Sequence, residues 1–299
     1  MNFNFNDDQR ALLDAVDQVV QHHRARQLQA QRFEALDAIE VDLEAGGYFD
    51  ALVTEGLGPV AAAAMVMALA RLPFCVELGA SALLAPALGL PRPCAVLGAD
   101  RSAPVRHLPQ ATCVVAIEAN GVFVARPGAD DVRTVDSLWS YPMGALNNHA
   151  ALHWTKLDAN PVDCLDRWRV AMAAEIAGCL GAALDSVVQH VSDRRQFGRP
   201  LGSLQAVQHR LAQSAVAIEG VRWLTLAAAA QHVGSALALA QAQWVVRSVS
   251  YDLHQFMGAM GLTLEHPLHR WTYRAKRLQS ELGACEQQFR SAAQAAWPA

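Results

Sequence analysis

From Pro161 onward, apolar residues recur at helical spacing, fill wide faces, and are interleaved with abundant alanine. Helices with faces that wide must bury them against one another. The pattern therefore predicts a bundle of long antiparallel helices. Asp163 is placed to cap a helix over 165–192, and further helices are predicted over 203–231, 236–258 and 272–295. Gly198, Pro200 and the Gly234-Ser235 pair mark turns. One stretch, Trp223 to Val246, has no Asp, Glu, Lys or Arg and approaches the length of a membrane span. Gln231, His232, Gly234, Ser235, Gln241 and Gln243 interrupt it, so two buried bundle helices explain it better than a span.

The N-terminal third is also helical in pattern. Asn6-Asp7-Asp8 supplies cap chemistry for a first helix, in which Leu12, Leu13, Val16, Val19 and Val20 recur at helical spacing. A second helix is predicted over 33–46, ending at Gly46-Gly47. Pro59 opens a third through Ala61–Leu69, and another is predicted over 79–88. The run GLPRP at 89–93 reads as a boundary. Beyond it the period changes. Cys113–Glu118 and Val122–Ala125 flank Asn120-Gly121, a strong hairpin signal. Val132–Val135 and Ala150–Leu157 are further strand candidates. The chain thus reads as mainly α: an N-terminal helical domain (1–93), a small middle β region (94–160) and a C-terminal helical bundle (161–299).

Bulk properties exclude some functions. The 299 residues are 53% hydrophobic, enough for a substantial core, and the net charge is −4 with no basic run. Non-specific nucleic-acid binding does not fit that balance. Cys75, Cys94, Cys113, Cys164, Cys179 and Cys285 are scattered without a CxxC pair, as expected of reduced, buried thiols. The opening MNFNFNDDQR is polar and acidic, unlike a signal peptide. A cytoplasmic protein with no membrane segment is the expectation.

The chemistry concentrates at 193–213, DRRQFGRPLGSLQAVQHRLAQ. Arg194 offers a planar, permanent cation suited to phosphate oxygens, and Phe197 offers a flat face suited to a ring. A phosphate and a ring on one ligand describe a nucleotide. Taken alone, Arg194-x-Gln196-Phe197-Gly198 is equally readable as a plain helix–loop–helix corner. The full wording adds Pro200-Leu201, Leu204-Gln205 and Gln208-His209-x-Leu211-Ala212. Downstream stand Gln255-Phe256-Met257-Gly258-Ala259-Met260-Gly261 and Glu265-His266-Pro267-Leu268. In that order these strings resemble the acyl-CoA dehydrogenase flavoproteins, whose second motif is Q-x-x-G-G-x-G; Ala259 is a departure. The opening Phe5-x-x-Asp8-Gln9-x-x-Leu12 is similar to the family's first helix. The resemblance is good over 160–280, loose over 1–75 and weak over 95–160.

The resemblance implies an acyl-CoA dehydrogenase-like fold, with helical domain, β domain and four-helix bundle, that binds FAD. It implies α,β-dehydrogenation of a CoA thioester, in which a carboxylate removes the α-proton while the flavin takes the β-hydrogen as hydride. It places Arg194 on the FAD pyrophosphate and Gln196 and Phe197 at the adenosine end. Gln255 and the Gly258 backbone close that site, and the flavin is a neighbouring subunit's. Other family features are missing. No T-E-P…G-S-D string occurs between 95 and 160; Arg126-Pro127-Gly128-Ala129-Asp130 is the nearest. The family's two base positions fall at Trp244 and at Leu282-Gly283, neither acidic, leaving Glu281, one residue away, as the candidate. The ADP-gripping half is present and the ring-and-base half is not. That division resembles a shortened subunit of the heteromeric α2β2 enzymes of steroid catabolism. It implies a fuller partner subunit, a bulky acyl-CoA substrate and an electron-transferring flavoprotein as acceptor. A self-sufficient homo-oligomeric flavoenzyme and a flavin-free scaffold or acyl-CoA-binding protein are the alternatives. No metal site is expected, although His266-x-x-His269 adjoins Glu265. Asp163, Asp166 and Arg167 read as cap and salt-bridge groups, and Glu175 as a buried contact between helices. Met257 and Met260 read as packing beneath their loop.

Overall fold

The computed structural model describes residues 4–297. Helix α1 (Asp7–Arg24) begins in a reciprocal cap: the Gln9 N–H donates to Asn6 Oδ1 at 2.8 Å, and the Asn6 N–H donates to Gln9 Oε1 at 3.1 Å. Acids at its start and His22, His23 and Arg24 at its end suit the helix dipole. Helix α2 (Asp37–Ala45) is shorter than the predicted 33–46. Residues before it are extended because Ala35 bridges to Cys75, whose N–H donates to Glu34 O at 2.8 Å. Helix α3 (Gly58–Leu69) carries Pro59 in its first turn and is buried along most of its length. The predicted helix over 79–88 is two pieces, α4 (Gly79–Leu83) and α5 (Ala85–Leu88). Pro86 has no N–H to continue the ladder.

Two small sheets follow. Strands β1 (Cys94–Leu97), β3 (Cys113–Glu118), β4 (Gly121–Ala125) and β7 (Thr155–Leu157) form one in the order β1-β3-β4-β7. The β1–β3 pair is parallel, and the hairpin β3–β4 pairs Val115 with Val124. Strands β2 (Val105–Arg106), β6 (Met143–Leu146) and β5 (Val132–Val135) form the other. The strand expected over 150–157 is only its last three residues. His149–Ala151 is instead a 3-10 turn that Asn148 caps, and Trp154 Nε1 donates to His149 O at 2.9 Å.

The C-terminal helices are α6 (Pro161–Asp193), α7 (Gln205–Ala229), α8 (Ser235–Met257), α9 (Leu268–Gln279) and α10 (Ala284–Ala296). Asp163 is not the cap of α6. The helix starts earlier, with Pro161 in its first turn, and Asn160 Oδ1 accepts the Val162 N–H at 3.0 Å. The single helix expected over 272–295 is also corrected: it breaks at 280–283, where Leu282 (φ 52°) and Gly283 (φ 79°) are left-handed. The Trp223–Val246 stretch divides between α7 and α8 as expected. By length and composition α6 would pass for a membrane span, but 83% of its apolar window is buried in the bundle. Its small residues let it press close to α3, and a Cβ on Gly178 would lie 2.3 Å from Met67 O. Helix α9 is stapled to the segment after α3. The buried Arg274 guanidinium donates to Ala70 O at 2.9 Å, Leu72 O at 2.7 Å and Phe74 O at 3.1 Å.

Candidate cofactor site

Helix α6 ends where the Arg194 N–H donates to His190 O at 2.8 Å. The chain then turns through a tight ribbon, β8 (Arg195–Gln196) against β9 (Arg199–Pro200). Its tip is Phe197-Gly198, both left-handed at φ 54° and 77°. Gly198 adopts that conformation freely; Phe197 is held there by the ribbon. The result puts the Phe197 ring in solvent, 85% exposed. Leaving a phenylalanine there forgoes about 2–3 kcal/mol of burial, a cost that marks a contact surface. Arg194 and Gln196 are exposed beside it, and among the described residues no side-chain hydrogen bond or ion pair engages the Arg194 guanidinium.

The second motif closes α8. Gly258 stands at φ 65°, ψ −146°, and nothing lies within 4 Å of where a Cβ would be, so its backbone face is open. Gln255 is exposed one turn earlier. Met257 is buried beneath this loop as expected, but Met260 is exposed, because the following 3-10 turn (Gly258–Leu262) rotates it outward. Helices α6 and α8 run the same way, so both motifs lie at one end of the bundle. Two contacts tie that end together. His266 Nδ1 accepts the Leu268 N–H at 3.1 Å, which leaves Nε2–H to donate to Ser186 Oγ at 3.2 Å. Arg210 Nε donates to Asp252 Oδ2 at 3.0 Å.

The positions that would carry a base are arranged differently. Trp244 points outward, 63% exposed, with its ring edge-on to Phe289 at 6.4 Å. Leu282 sits in a loop that Gln243 and Gln288 hold: Gln243 Nε2 donates to Leu278 O at 2.9 Å and Glu281 O at 3.0 Å, and Gln288 Nε2 to Leu282 O at 2.6 Å. Glu281 lies between two guanidiniums, 3.2 Å from Arg106 Nε and 3.7 Å from Arg277 Nη1. Arg106 is itself buried, 3.0 Å from Glu175 Oε2, with its Cζ 4.8 Å from the Trp168 ring and 5.4 Å from the Tyr141 ring. Glu175 therefore contacts a sheet residue, which corrects the expected contact between helices. Burial pushes the Glu175 and Glu77 carboxyls above their ordinary range. Sequence reading missed Arg106, Tyr141 and Arg274, which have no local motif. The Arg126–Asp130 stretch is a surface turn, in which Asp131 Oδ2 accepts the Gly128 N–H at 2.7 Å. His269 faces two backbone carbonyls, of His266 at 2.9 Å and Gln31 at 3.1 Å. Asp166 receives Ser235 Oγ–H at 2.5 Å and Arg169 Nη1 at 3.2 Å.

Residues 161–296 match the family described as acyl-CoA dehydrogenase, C-terminal domain. That match spans the C-terminal helical bundle. Acyl-CoA dehydrogenase IpdE2 of Mycolicibacterium smegmatis is 26% identical over 241 residues, covering 72% of this chain and 74% of that one. The mitochondrial short-chain specific acyl-CoA dehydrogenase of Rattus norvegicus is 35% identical over 121 residues, but these are 38% of this chain and only 29% of the relative. Among solved structures, the ChsE4-ChsE5 complex from Mycobacterium tuberculosis shares the fold over 100% of both chains, with TM-score 0.78 and 21% identity. The Tcur3481-Tcur3483 steroid ACAD shares it over 97% of this chain and 98% of that one, with TM-score 0.75 and 20% identity.

Acyl-CoA dehydrogenases work with FAD. The fit of this chain to that cofactor is one-sided. At the nucleotide end an unengaged guanidinium, an exposed aromatic ring, an exposed amide and an open glycine backbone match a pyrophosphate and an adenosine. At the ring end, the position of the base is the apolar Leu282 and the nearest carboxylate is bound to arginines.

Proposed function

We propose that this chain is one subunit of a heteromeric acyl-CoA dehydrogenase, holding the ADP half of an FAD whose reactive ring and catalytic base belong to its partner. Arg194 pairs with the pyrophosphate, Phe197 and Gln196 line the adenosine end, and Gln255 and the Gly258 backbone close it. When bound, the flavin supplies hydride acceptance from the β-carbon. This chain's residues contribute binding and orientation. The observation that carries the reading is the Phe197 ring held in solvent beside an unengaged Arg194.

An unpartnered face on the bundle supports a partner. Leu237, Trp244 and Tyr251 are exposed on α8 at intervals of seven, one stripe along the helix that leads toward Gln255. A stripe of that period suits a long helix of another subunit. The substrate in this proposal is a bulky, steroid-derived CoA thioester, and the acceptor is an electron-transferring flavoprotein. Support for the substrate comes from the steroid ACAD among the solved structures. Six free thiols suit a cytoplasmic setting. The pairing of Glu281 with two arginines weighs against self-sufficiency.

Co-expression with a fuller acyl-CoA dehydrogenase subunit, followed by a visible spectrum, tests the proposal. The expected result is a stable yellow complex and little flavin on the chain expressed alone. A colourless complex, or a lone chain with full flavin and dehydrogenase activity, overturns it.

A further inference from the structure

The contacts of Arg106 have a bearing on where chemistry can occur. Its guanidinium stands where β2, α6 and the 280–284 loop meet, beside the segment that carries the family's base position. Glu175 and Glu281 flank it, and the rings of Tyr141 and Trp168 cover it. Arg106, Tyr141, Trp168 and Glu175 are all buried. Packing around them is tight: a Cβ on Gly79 would lie 3.2 Å from Trp168 Cζ3, 3.3 Å from Ala171 Cβ and 3.6 Å from Glu175 Oε2. Glu77, nearby, is fully used as an acceptor for the Ala80 N–H, the Ser81 N–H and the Ser81 hydroxyl at 2.8, 2.7 and 2.6 Å. Clefts of about 650 and 320 Å³ lie elsewhere, against the α7–α8 turn and between α1, α3, α6 and α7.

We infer that the Arg106–Glu175–Glu281 cluster is an ionic plug that fills this chain's own ring-side chamber, so that the chain has no second catalytic centre. The inference rests on the reading that the chain clasps only the nucleotide end of a partner's flavin. Burial opposes the charge of Arg106, while Glu175 and Glu281 beside it favour its charged form. Buried charges of this kind are retained only when paired, and losing one partner is costly, while neutralising both is tolerated. Glu281 is thereby a positioning residue for the 280–284 loop, acting through Arg106.

The test uses the complex with its partner and two variants in this chain, R106M/E175Q and E281Q, with R106M as control. Thermal unfolding is read together with the flavin-to-complex ratio. The proportion of reduced flavin is also read at a fixed dye potential, which senses charge next to the ring. For a plug, R106M unfolds at lower temperature than R106M/E175Q, and both R106M/E175Q and E281Q keep the flavin ratio and the reduced proportion within about twofold. A tenfold or larger change in the reduced proportion with flavin still bound overturns the plug, because it places a ring beside the cluster. So does failure of R106M/E175Q to fold, or a double variant no more stable than R106M. Failure of the nucleotide-clasp reading is seen separately, as flavin that survives loss of Arg194.

Discussion

Single residues carry the two halves of the functional argument. Arg194→Ala removes a charge-assisted contact of about 1.5–3 kcal/mol, so FAD retention by the complex is expected to weaken about ten- to a hundredfold, measured by flavin release during dialysis. Full flavin content in that variant would contradict the role of Arg194. Arg274 illustrates the structural half. Its Arg274→Met variant leaves the buried carbonyls of Leu72 and Phe74 without donors and Ala70 O with only the Cys179 thiol at 3.7 Å, and is expected to cost about 3–5 kcal/mol in urea unfolding. His107 gives the pH dependence. Burial, reinforced by Arg106, lowers its pKa to about 3, so it stays neutral when folded and protonates readily when unfolded. The stability it contributes is present above the ordinary imidazole pKa of 6.5 and is lost as pH falls from there toward 3. The raised Glu77 and Glu175 work in the opposite sense, so the comparison with a variant isolates the histidine. Relative to His107→Asn, whose residue tolerates the left-handed backbone at φ 62°, wild type should lose about 1.4 kcal/mol per pH unit in denaturation between pH 6 and 4. A pH-independent difference would refute this.

At the scale of elements, helix starts and close crossings decide. Asn160→Ala is expected to destabilise by about 1 kcal/mol through loss of the α6 cap, and Asp163→Ala by at most about half as much, since Asp163 only favours the dipole. Equal effects would argue that Asp163 caps after all. Gly178→Ala sets two effects against each other. Helix propensity favours alanine by about 1 kcal/mol, but its methyl would meet Met67 O, a backbone atom that cannot swing away. The clash wins, and a net loss of about 1–3 kcal/mol is expected in thermal unfolding. Elements whose signals are local were readable: the Asn6 cap, the Asn120-Gly121 hairpin, the Gly234-Ser235 turn. The break at 280–283 was not. Leu282 is no helix breaker by type; the loop around it is held by Gln243, which reaches Leu278 O and Glu281 O from more than thirty residues away, and by Gln288 of α10, which donates to Leu282 O.

For the whole molecule, the proposed partner face has its own expected outcome. W244E/Y251E changes two exposed residues on α8, so the chain should keep its fold, with Tm within a few degrees, while the complex dissociates in size-exclusion chromatography with light scattering. An intact complex would move the interface elsewhere. The helical ends, the small sheets and the bundle thus assemble a molecule with one open corner, at 194–198 and 255–258, and one closed junction, at Arg106.

The division between what was readable and what was not follows from range. The Arg194–Pro200 corner and the Gln255–Gly261 loop could be named from residues a few positions apart, because turn chemistry, helix ends and exposure of an aromatic at a ribbon tip are set locally. The missing base at Trp244 and Leu282 was equally plain, since side-chain identity needs no fold. The fate of Glu281 was decided only in three dimensions. Its partner Arg106 lies 175 positions away, and a carboxylate that is free to take a proton differs from one bound between two guanidiniums only by what folding brings beside it.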